Sequence, residues 1–459
     1  MIRKFYPQWL IQVGILLTFA LIPVWYRLPQ SPIFAQLYVT RFLIFLPMLW
    51  SIFWWLVLGL PGLRDLFRSR LRVFWALSLL LLALWGYASL LWGFQRVAHP
   101  DVGQTAALQF AVSVLFVVVV ACAAPPPTTI VTVLAFDVIW NAAITVVQSQ
   151  NQGSIGLRSI GEFPFSAQAG ASILESGSIR WVRPYGLMPH PNLLAGALLV
   201  CLFAAAALIV ARRRGQQIVG IAVFGFGWWA LLLTFSRAAW GGLVVGMLAV
   251  ILFLRPHLRR IAARVSLAAA AGVVVAIGLA FVIGYAPLLA ARAGEGEESV
   301  ELRSVSDRLV FMEFAVKSIQ ERPILGVGIG NFPWRMSYYL AATNYDLRGD
   351  NVHHVLLSVA AELGIVGLLL ILVAIVCGLI AAFRTLRHGT DTTDHAARLA
   401  LFAGFIGLLA VGFLDHYPWT QIHFQVAWWG CLAAAISSPR SSPPPIPPAA
   451  PISPIDQAP

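Results

Sequence analysis

The sequence predicts an all-α polytopic membrane protein, and its composition, apolar runs and tryptophans all indicate this fold class. Of the 459 residues, 59% are hydrophobic and only 11% are charged, and the mean hydropathy is +0.81. Apolar runs that reach the ~20 residues needed for a membrane helix recur along the chain. Many of the 17 tryptophans lie near the ends of these runs, where indole rings anchor at a membrane surface. Helices are expected because lipid offers no hydrogen-bond partner to an open backbone.

About twelve transmembrane helices are predicted, with boundaries placed to within ~2–4 residues. The predicted spans are 9–27, 37–60, 72–93, 105–124, 128–148, 189–211, 216–234, 237–254, 265–284, 355–383, 397–415 and 418–437. The first apolar run has no small-residue cleavage site, so we interpret it as a retained helix.

The distribution of positive charge predicts the orientation of these spans. Over the termini and short loops, 17 Lys and Arg residues lie on one side of the membrane and 4 on the other. Because positive residues favour the cytoplasmic side, both termini are predicted to be cytoplasmic. Two long segments, 149–188 and 285–352, are then extracytoplasmic. The predicted organisation is one transmembrane domain, 1–436, followed by a disordered proline-rich cytoplasmic tail, 437–459.

Several function classes are disfavoured by what the sequence lacks. The net charge of +12 reflects cytoplasmic arginines rather than nucleic-acid binding, because no basic run contains interleaved aromatic residues. The four cysteines stand singly in apolar segments, without metal-ligand or redox spacing. Walker-type, HExxH and GxSxG motifs are absent, and so are the paired aspartates of a metal-dependent membrane glycosyltransferase. No metal and no cofactor are therefore predicted.

The second long segment contains a predicted amphipathic helix over 307–320. A glycine-rich turn, LGVGIGNF, follows Pro323, which ends the helix. The apolar residues at helical spacing are Leu309, Phe311, Met312, Ala315, Val316 and Ile319.

Three arginines on the extracytoplasmic side are candidate anion-binding residues. Arg183 opens the stretch RPYGLMPHPN, in which Pro191 and Asn192 begin a helix, and a helix N-terminus favours an anion. Arg237 lies in a tight turn, in FSRAAWGG, on the side where positive charge is disfavoured. Arg308 lies on the amphipathic helix. The alternative for each is an arginine whose charged end reaches the membrane surface without a specific ligand.

A pair of histidines, His353 and His354, begins the tenth span and is preceded by Asp350 and Asn351. A histidine with a pKa near its unperturbed ~6.5 can take a proton from a sugar hydroxyl at neutral pH. The alternative is a purely structural pair. Glu362, further along the same span, is a possible buried partner, and His416 in the last outer turn is a weaker candidate.

Four motifs in order resemble the O-antigen ligase and polymerase family of bacterial membrane glycosyltransferases. They are RPYGLMPHPN, FSRAAWGGL, ERPILGVGIGNF and HHVLLSVAAELGIVG, and the resemblance covers about residues 180–370. The ligases' pattern is His, then Asn, Ser or Gln, then nine residues and Gly-x-x-Gly. Here His353 takes the first position, and Gly364 and Gly367 take the last two. His354 departs from the pattern, because the family usually has an amide or a hydroxyl there.

The resemblance implies a GT-C-like fold and a metal-independent, inverting glycosyltransferase on the outer face of the inner membrane. The donor would be an undecaprenyl-pyrophosphate-linked glycan and the acceptor a lipid A–core or another glycan. By the same resemblance Arg183 and Arg237 would hold the pyrophosphate, and His353 would be the catalytic base. Arg308 is added as a third pyrophosphate ligand, and the supporting residues are Asn192, His354 and Asn351.

Three alternatives stay open on the sequence, and one of them, a scaffold in a polysaccharide-export assembly with a dead site, rests only on the departure at His354. A polymerase of the same family would use the same motifs, although the histidine pattern favours a ligase. A membrane transporter would also fit the spans, but the chain shows no two-halves repeat of the kind that transporters often have.

Overall fold

The computed structural model describes residues 7–26, 42–166, 172–177, 179–293, 300–343 and 350–437, and for 300–305 the backbone alone. The predicted proline-rich tail lies outside the described residues apart from Ser437.

The described residues form seventeen α-helices and one antiparallel β-hairpin. The helices that precede the hairpin are α1 (Trp9–Ala20), α2 (Phe45–Val57), α3 (Leu63–Phe67), α4 (Arg70–Ala88), α5 (Pro100–Ala123) and α6 (Pro127–Asn151). The hairpin consists of β1 (Ile173–Ser176) and β2 (Ile179–Val182). The helices that follow are α7 (Pro191–Ile209), α8 (Arg214–Leu233), α9 (Arg237–Ile251), α10 (Arg255–Leu258), α11 (Ile261–Ala293), α12 (Val300–Glu321), α13 (Phe332–Leu340), α14 (Val355–Leu386), α15 (Thr393–Val411), α16 (Tyr417–Thr420) and α17 (Ile422–Ile436).

Among the described residues, eight helices are long and apolar enough to cross a membrane, namely α4, α5, α6, α7, α8, α11, α14 and α15. The shorter apolar helices α1, α2, α9 and α17 overlap the other four predicted spans. The chain is therefore a mostly helical polytopic membrane protein, and the count of twelve spans stays a prediction. The hairpin is a small β element that the all-α prediction lacked, with Ile173 paired to Val182 and Ser176 to Ile179.

Helix α7 lies in the core of the bundle, because its side chains are apolar on every face and nearly all are buried. It packs against α6, α8 and α15. Nearby, α9 and α15 approach closely at glycines. A Cβ on Gly242 would lie 2.8 Å from the carbonyl oxygen of Gly407, and one on Gly246 would lie 2.7 Å from that of Ala403. This packing places the start of α9 beside the end of α15.

Helix α12 contains the predicted amphipathic segment but buries a different stripe of it. Phe311, Phe314 and Ala315 are buried against residues of α13 and α14. Leu309 and Val316, which were predicted for the apolar face, are 62% and 44% exposed. The predicted residues span two adjacent stripes of the helix, and only one of these stripes is buried among the described residues.

The glycine-rich turn pairs with a break in α14. At Gly364 the backbone leaves the helix, with φ +64° and ψ −165°. The carbonyls that lose their helical partners there are those just before the break, and the turn supplies N–H groups to two of them. Val327 donates to Ala361 at 3.0 Å, and Gly328 donates to Glu362 at 2.8 Å. Gly364, the first glycine of the sequence pattern, therefore has a structural role, which is to admit this turn.

We predict that Gly364→Ala destabilises the protein by about 2 kcal/mol or more. An alanine would be strained at this φ, and its Cβ would overlap the carbonyl of Ile324. Thermal unfolding in detergent measures the effect. The control is Gly241→Ala, because Gly241 is helical and has no atom within 4 Å of an added Cβ. Equal melting temperatures for the two variants would contradict the role of the break.

Candidate active site

A buried carboxylate, Asp415, lies at the centre of a polar cluster where α7, α9, α14 and α15 meet. Its side chain is 4% exposed. One oxygen accepts a hydrogen bond from the Asn192 amide at 3.0 Å, and the other accepts from the His416 backbone N–H at 2.8 Å. Asn192 belongs to the first turn of α7, whereas Asp415 lies just after α15. The two hydrogen bonds therefore satisfy both oxygens of the carboxylate. The one from Asn192 also joins the start of α7 to the end of α15.

Arg183 extends this cluster to the turn between α8 and α9. It follows directly after β2, and its guanidinium is 4% exposed. It donates to the Asn192 side-chain oxygen at 2.7 Å, to the Thr234 carbonyl at 2.6 Å and to the Ser172 hydroxyl at 2.9 Å. Three of the five N–H donors of an arginine are thus engaged with the protein. Arg183 therefore connects the segment before β1, the turn between α8 and α9, and the start of α7.

Arg237 and Arg308 are more accessible than Arg183. Arg237 is the first residue of α9; its side chain is exposed, and it donates to the Arg292 carbonyl at 2.9 Å. The residue two positions before it, Phe235, is fully buried with φ +51°, a left-handed conformation that a bulky residue rarely adopts. Arg308 is half-buried, and its charge acts on His353. Arg308 therefore borders the cluster from α12, whereas Arg237 begins α9 three residues after Thr234, which accepts a hydrogen bond from Arg183.

The two imidazoles of His353 and His416 contact each other beside Asp415. Their ring centroids are 5.1 Å apart at an interplanar angle of 75°, and His353 also stacks on Phe311 at 6.0 Å. A hydrogen bond of 2.9 Å joins His416 Nδ1 to the Thr420 hydroxyl. His353 Nδ1 is buried and has no hydrogen-bond partner among the described residues. The hydrogen bond to Thr420 therefore fixes the orientation of the His416 ring, whereas no described residue does this through Nδ1 of His353.

The protonation states follow from this packing. Burial, with the charges of His416 and Arg308, lowers the pKa of His353 to about 4, although Asp415 acts in the opposite direction. Burial acts to raise the pKa of Asp415, but the neighbouring histidine charges and the hydrogen bond from His416 outweigh it, so that pKa is lowered. At neutral pH the site therefore holds a neutral His353 beside an ionised Asp415.

His354 is the N-cap of α14. Its Nδ1 accepts a hydrogen bond from the backbone N–H of Leu357 at 3.3 Å. Burial lowers the pKa of His354, which keeps the ring neutral and Nδ1 able to accept. Asn and Ser are strongly preferred N-cap residues because they supply such an acceptor. Although His354 departs from the sequence pattern, it makes the same kind of capping hydrogen bond as the usual amide or hydroxyl would.

The cluster includes three possible metal ligands. One atom each from His353, Asp415 and His416 lies within 4.8 Å of the others. However, both Asp415 oxygens already accept hydrogen bonds, and His416 Nδ1 is joined to Thr420. A cation would have to compete with these contacts, and the absence of a metal stays a prediction that chelation tests.

The structure brings together most of the predicted site residues and adds some that sequence reasoning missed. Asn192, Arg183 and His353 lie in or beside the cluster around Asp415, while Asn351 lines a neighbouring cavity. Asp415 itself was not among the predicted residues. Its sequence signal was an acidic residue in an outer turn of an otherwise apolar protein, DHYPW.

Comparison with known proteins bears on this arrangement. Residues 221–372 match the family model described as O-antigen ligase. Over this segment the chain is similar to the O-antigen ligase family. The segment runs from within α8 to within α14 and includes Arg237, Arg308, His353 and His354. No curated protein matches the chain. The resemblance found in the sequence is confirmed over residues 221–372, which include the histidine pair. Arg183 and Asp415 lie outside this range.

We predict that His354→Asn retains the stability of the protein and that His354→Ala lowers it by about 1 kcal/mol, because alanine cannot cap α14. Thermal unfolding in detergent compares the variants. His99→Ala is the matched control, since His99 stands at the N-cap of α5 without a capping hydrogen bond. If His354→Ala were as stable as His99→Ala, the capping role would be excluded.

Proposed function

We propose that this membrane protein transfers a glycan from a polyprenyl-pyrophosphate donor to a lipid A–core or other glycan acceptor. The observation that carries the proposal is the contact of a half-buried His353 with His416 beside the buried carboxyl group of Asp415, with Arg308 close by. The match to the O-antigen ligase family supports an enzyme of the ligase or polymerase type. The histidine pattern favours the ligase, and a polymerase is the alternative within the family.

The proposal also specifies the orientation of the protein in the membrane. Both termini would be cytoplasmic, and the cluster around Asp415 would face the outer side of the inner membrane. Arginine distribution supports this orientation. Residues 1–436 would form a single transmembrane domain, and the active site would lie at one end of its helices, where a lipid-linked donor can reach it.

The proposed pyrophosphate ligands are Arg183, Arg237 and Arg308. Guanidinium groups match phosphate oxygens geometrically and stay charged, so they stabilise the negative charge that develops on a pyrophosphate leaving group. Arg237 is exposed and Arg308 is half-buried, which suits both for direct contact. Arg183 is buried and holds Asn192 and Thr234, so its main contribution is to position the site while adding positive charge from behind.

In the proposed reaction His353 acts as the general base. It accepts the proton of an acceptor hydroxyl as that oxygen attacks the anomeric carbon of the donor sugar. The bond from that carbon to the pyrophosphate oxygen breaks, and the electron pair leaves with the lipid pyrophosphate. A single in-line displacement of this kind inverts the anomeric configuration. Asp415 stabilises the positive charge that develops on His353, while His354 and Asn351 support the segment that carries the base.

We predict that His353→Ala lowers the transfer rate about 10²- to 10⁴-fold, the contribution expected of a general base. A reconstituted assay with a polyprenyl-pyrophosphate oligosaccharide, run with and without EDTA, measures the rate and the product mass. Wild-type activity should survive chelation. His388→Ala, at an exposed histidine after α14, serves as the control. Wild-type rates in His353→Ala would overturn the mechanism, and loss of activity with EDTA would overturn its metal independence.

The lowered pKa of His353 predicts an unusual pH profile. Since the base works only when neutral, kcat/KM should hold as pH falls toward 5 and decline only near pH 4. At pH 5.5 it should stay within about twofold of its value at pH 7.5, whereas a histidine of ordinary pKa ~6.5 would lose about tenfold. Circular dichroism at each pH monitors the fold. A tenfold decline with the fold intact would contradict the buried environment of His353.

A further inference from the structure

A cavity of about 370 Å³ adjoins the His353 cluster, within the ~300–1,000 Å³ of typical ligand pockets. It is lined by the first turns of α5, the glycine-rich turn, Asn351 and the α16–α17 region. Two of its lining residues connect it to the cluster. Thr420 is hydrogen-bonded to His416, and Asn351 precedes His353 by two positions. A molecule in the cavity would therefore lie next to the proposed base.

The acid in the cavity lining is the buried Glu362. Its side chain is 1% exposed, and its Oε2 accepts a hydrogen bond from the Trp419 indole at 2.9 Å. The backbone N–H groups of Gly330 and Phe332 lie near the carboxyl group. Oε1 has no partner with hydrogen-bond geometry in the part of the chain that the structure describes. A buried carboxylate oxygen without a partner is costly, which points to a hydrogen-bond donor supplied from outside the protein.

The rest of the lining combines amides with aromatic rings. Gln109 and Gln421 contribute side-chain amides, and Trp25 and Trp419 contribute indole rings. Gln109 is held by donating to the Thr420 carbonyl at 2.9 Å, so its orientation is fixed. A carboxylate accepts hydrogen bonds from hydroxyl groups, an amide both accepts and donates them, and flat rings cover the apolar C–H face of a pyranose. This is the lining that a sugar ring requires, and the described residues that line the cavity include no positive side chain that would bind a phosphate.

We propose that this cavity binds a sugar ring of the acceptor glycan, with Glu362 Oε1 accepting a hydrogen bond from one of its hydroxyls. The inference rests on the proposed transferase function. The order in which the site residues contact one another favours the acceptor glycan, rather than the donor glycan, as the occupant of this cavity. Arg183, Asn192, Asp415, His416 and Thr420 form a connected series, with the arginine at one end and the cavity at the other. The proposed base packs on His416, so in this series of contacts it comes after Arg183 and before the cavity.

The test is Glu362→Gln, which keeps the shape of the side chain and an oxygen that accepts from Trp419. Steady-state kinetics are measured in the reconstituted assay, varying the acceptor that gives product with the wild type, beginning with lipid A–core. The KM for the acceptor should rise about 5- to 10-fold, the effect of losing one hydrogen bond, while the KM for the donor and kcat change less than threefold.

Asp137→Asn is the matched control, because Asp137 is also a buried carboxylate that accepts from an indole, that of Trp140 at 3.0 Å, and it does not line the cavity. If Glu362→Gln fails to fold, Gln421→Ala tests the same cavity by the same split of KM values. A rise in the donor KM instead would overturn the assignment to the acceptor, and unchanged KM values would overturn the cavity as a glycan site. Failure of the proposed function itself is distinguishable, since the wild type would then form no product with any acceptor.

Discussion

The burial of Asp415 is the constraint on which the site depends. An ionised carboxylate removed from water costs several kcal/mol unless hydrogen bonds and opposite charges compensate. The compensation here comes from Asn192 on α7 and from the backbone of His416, with Arg183 behind Asn192. These groups come from distant parts of the sequence. Holding them around one charge fixes where α7, the loop after β2 and the end of α15 meet.

A second constraint sets the position of the histidine pair. The break at Gly364 and the glycine-rich turn exchange backbone hydrogen bonds, which anchors the first part of α14 against that turn. His354 then caps this helix, and His353 is placed immediately before the cap, against His416 and Phe311. Rigid backbone contacts of this kind hold a catalytic side chain more precisely than a loop would. The motif that resembles the family therefore supplies the support of the proposed base as well as the histidine itself.

Local sequence signals predicted the parts of this structure that depend on local physics. Hydropathy located the eight long apolar helices, and the residues around His353 and Arg237 were selected from short motifs. Contacts between distant residues carried no such signal: Asn192 and Asp415 lie 223 positions apart. The hairpin was missed because its residues lie in a Gly/Ser-rich loop, and the buried stripe of α12 depends on its packing partners rather than on its own periodicity. The capping role of His354 likewise required the geometry of α14.

Electron cryomicroscopy of the full chain in lipid nanodiscs, with an added polyprenyl-pyrophosphate oligosaccharide, tests the placement of the active site most directly. We expect the pyrophosphate to contact Arg237 and Arg308, with the anomeric carbon facing His353. The opposite end of the bundle offers a contrasting position, where Arg260 and His257 surround Asp391. Pyrophosphate density at that end, with none beside His353, would contradict the assignment of the active site.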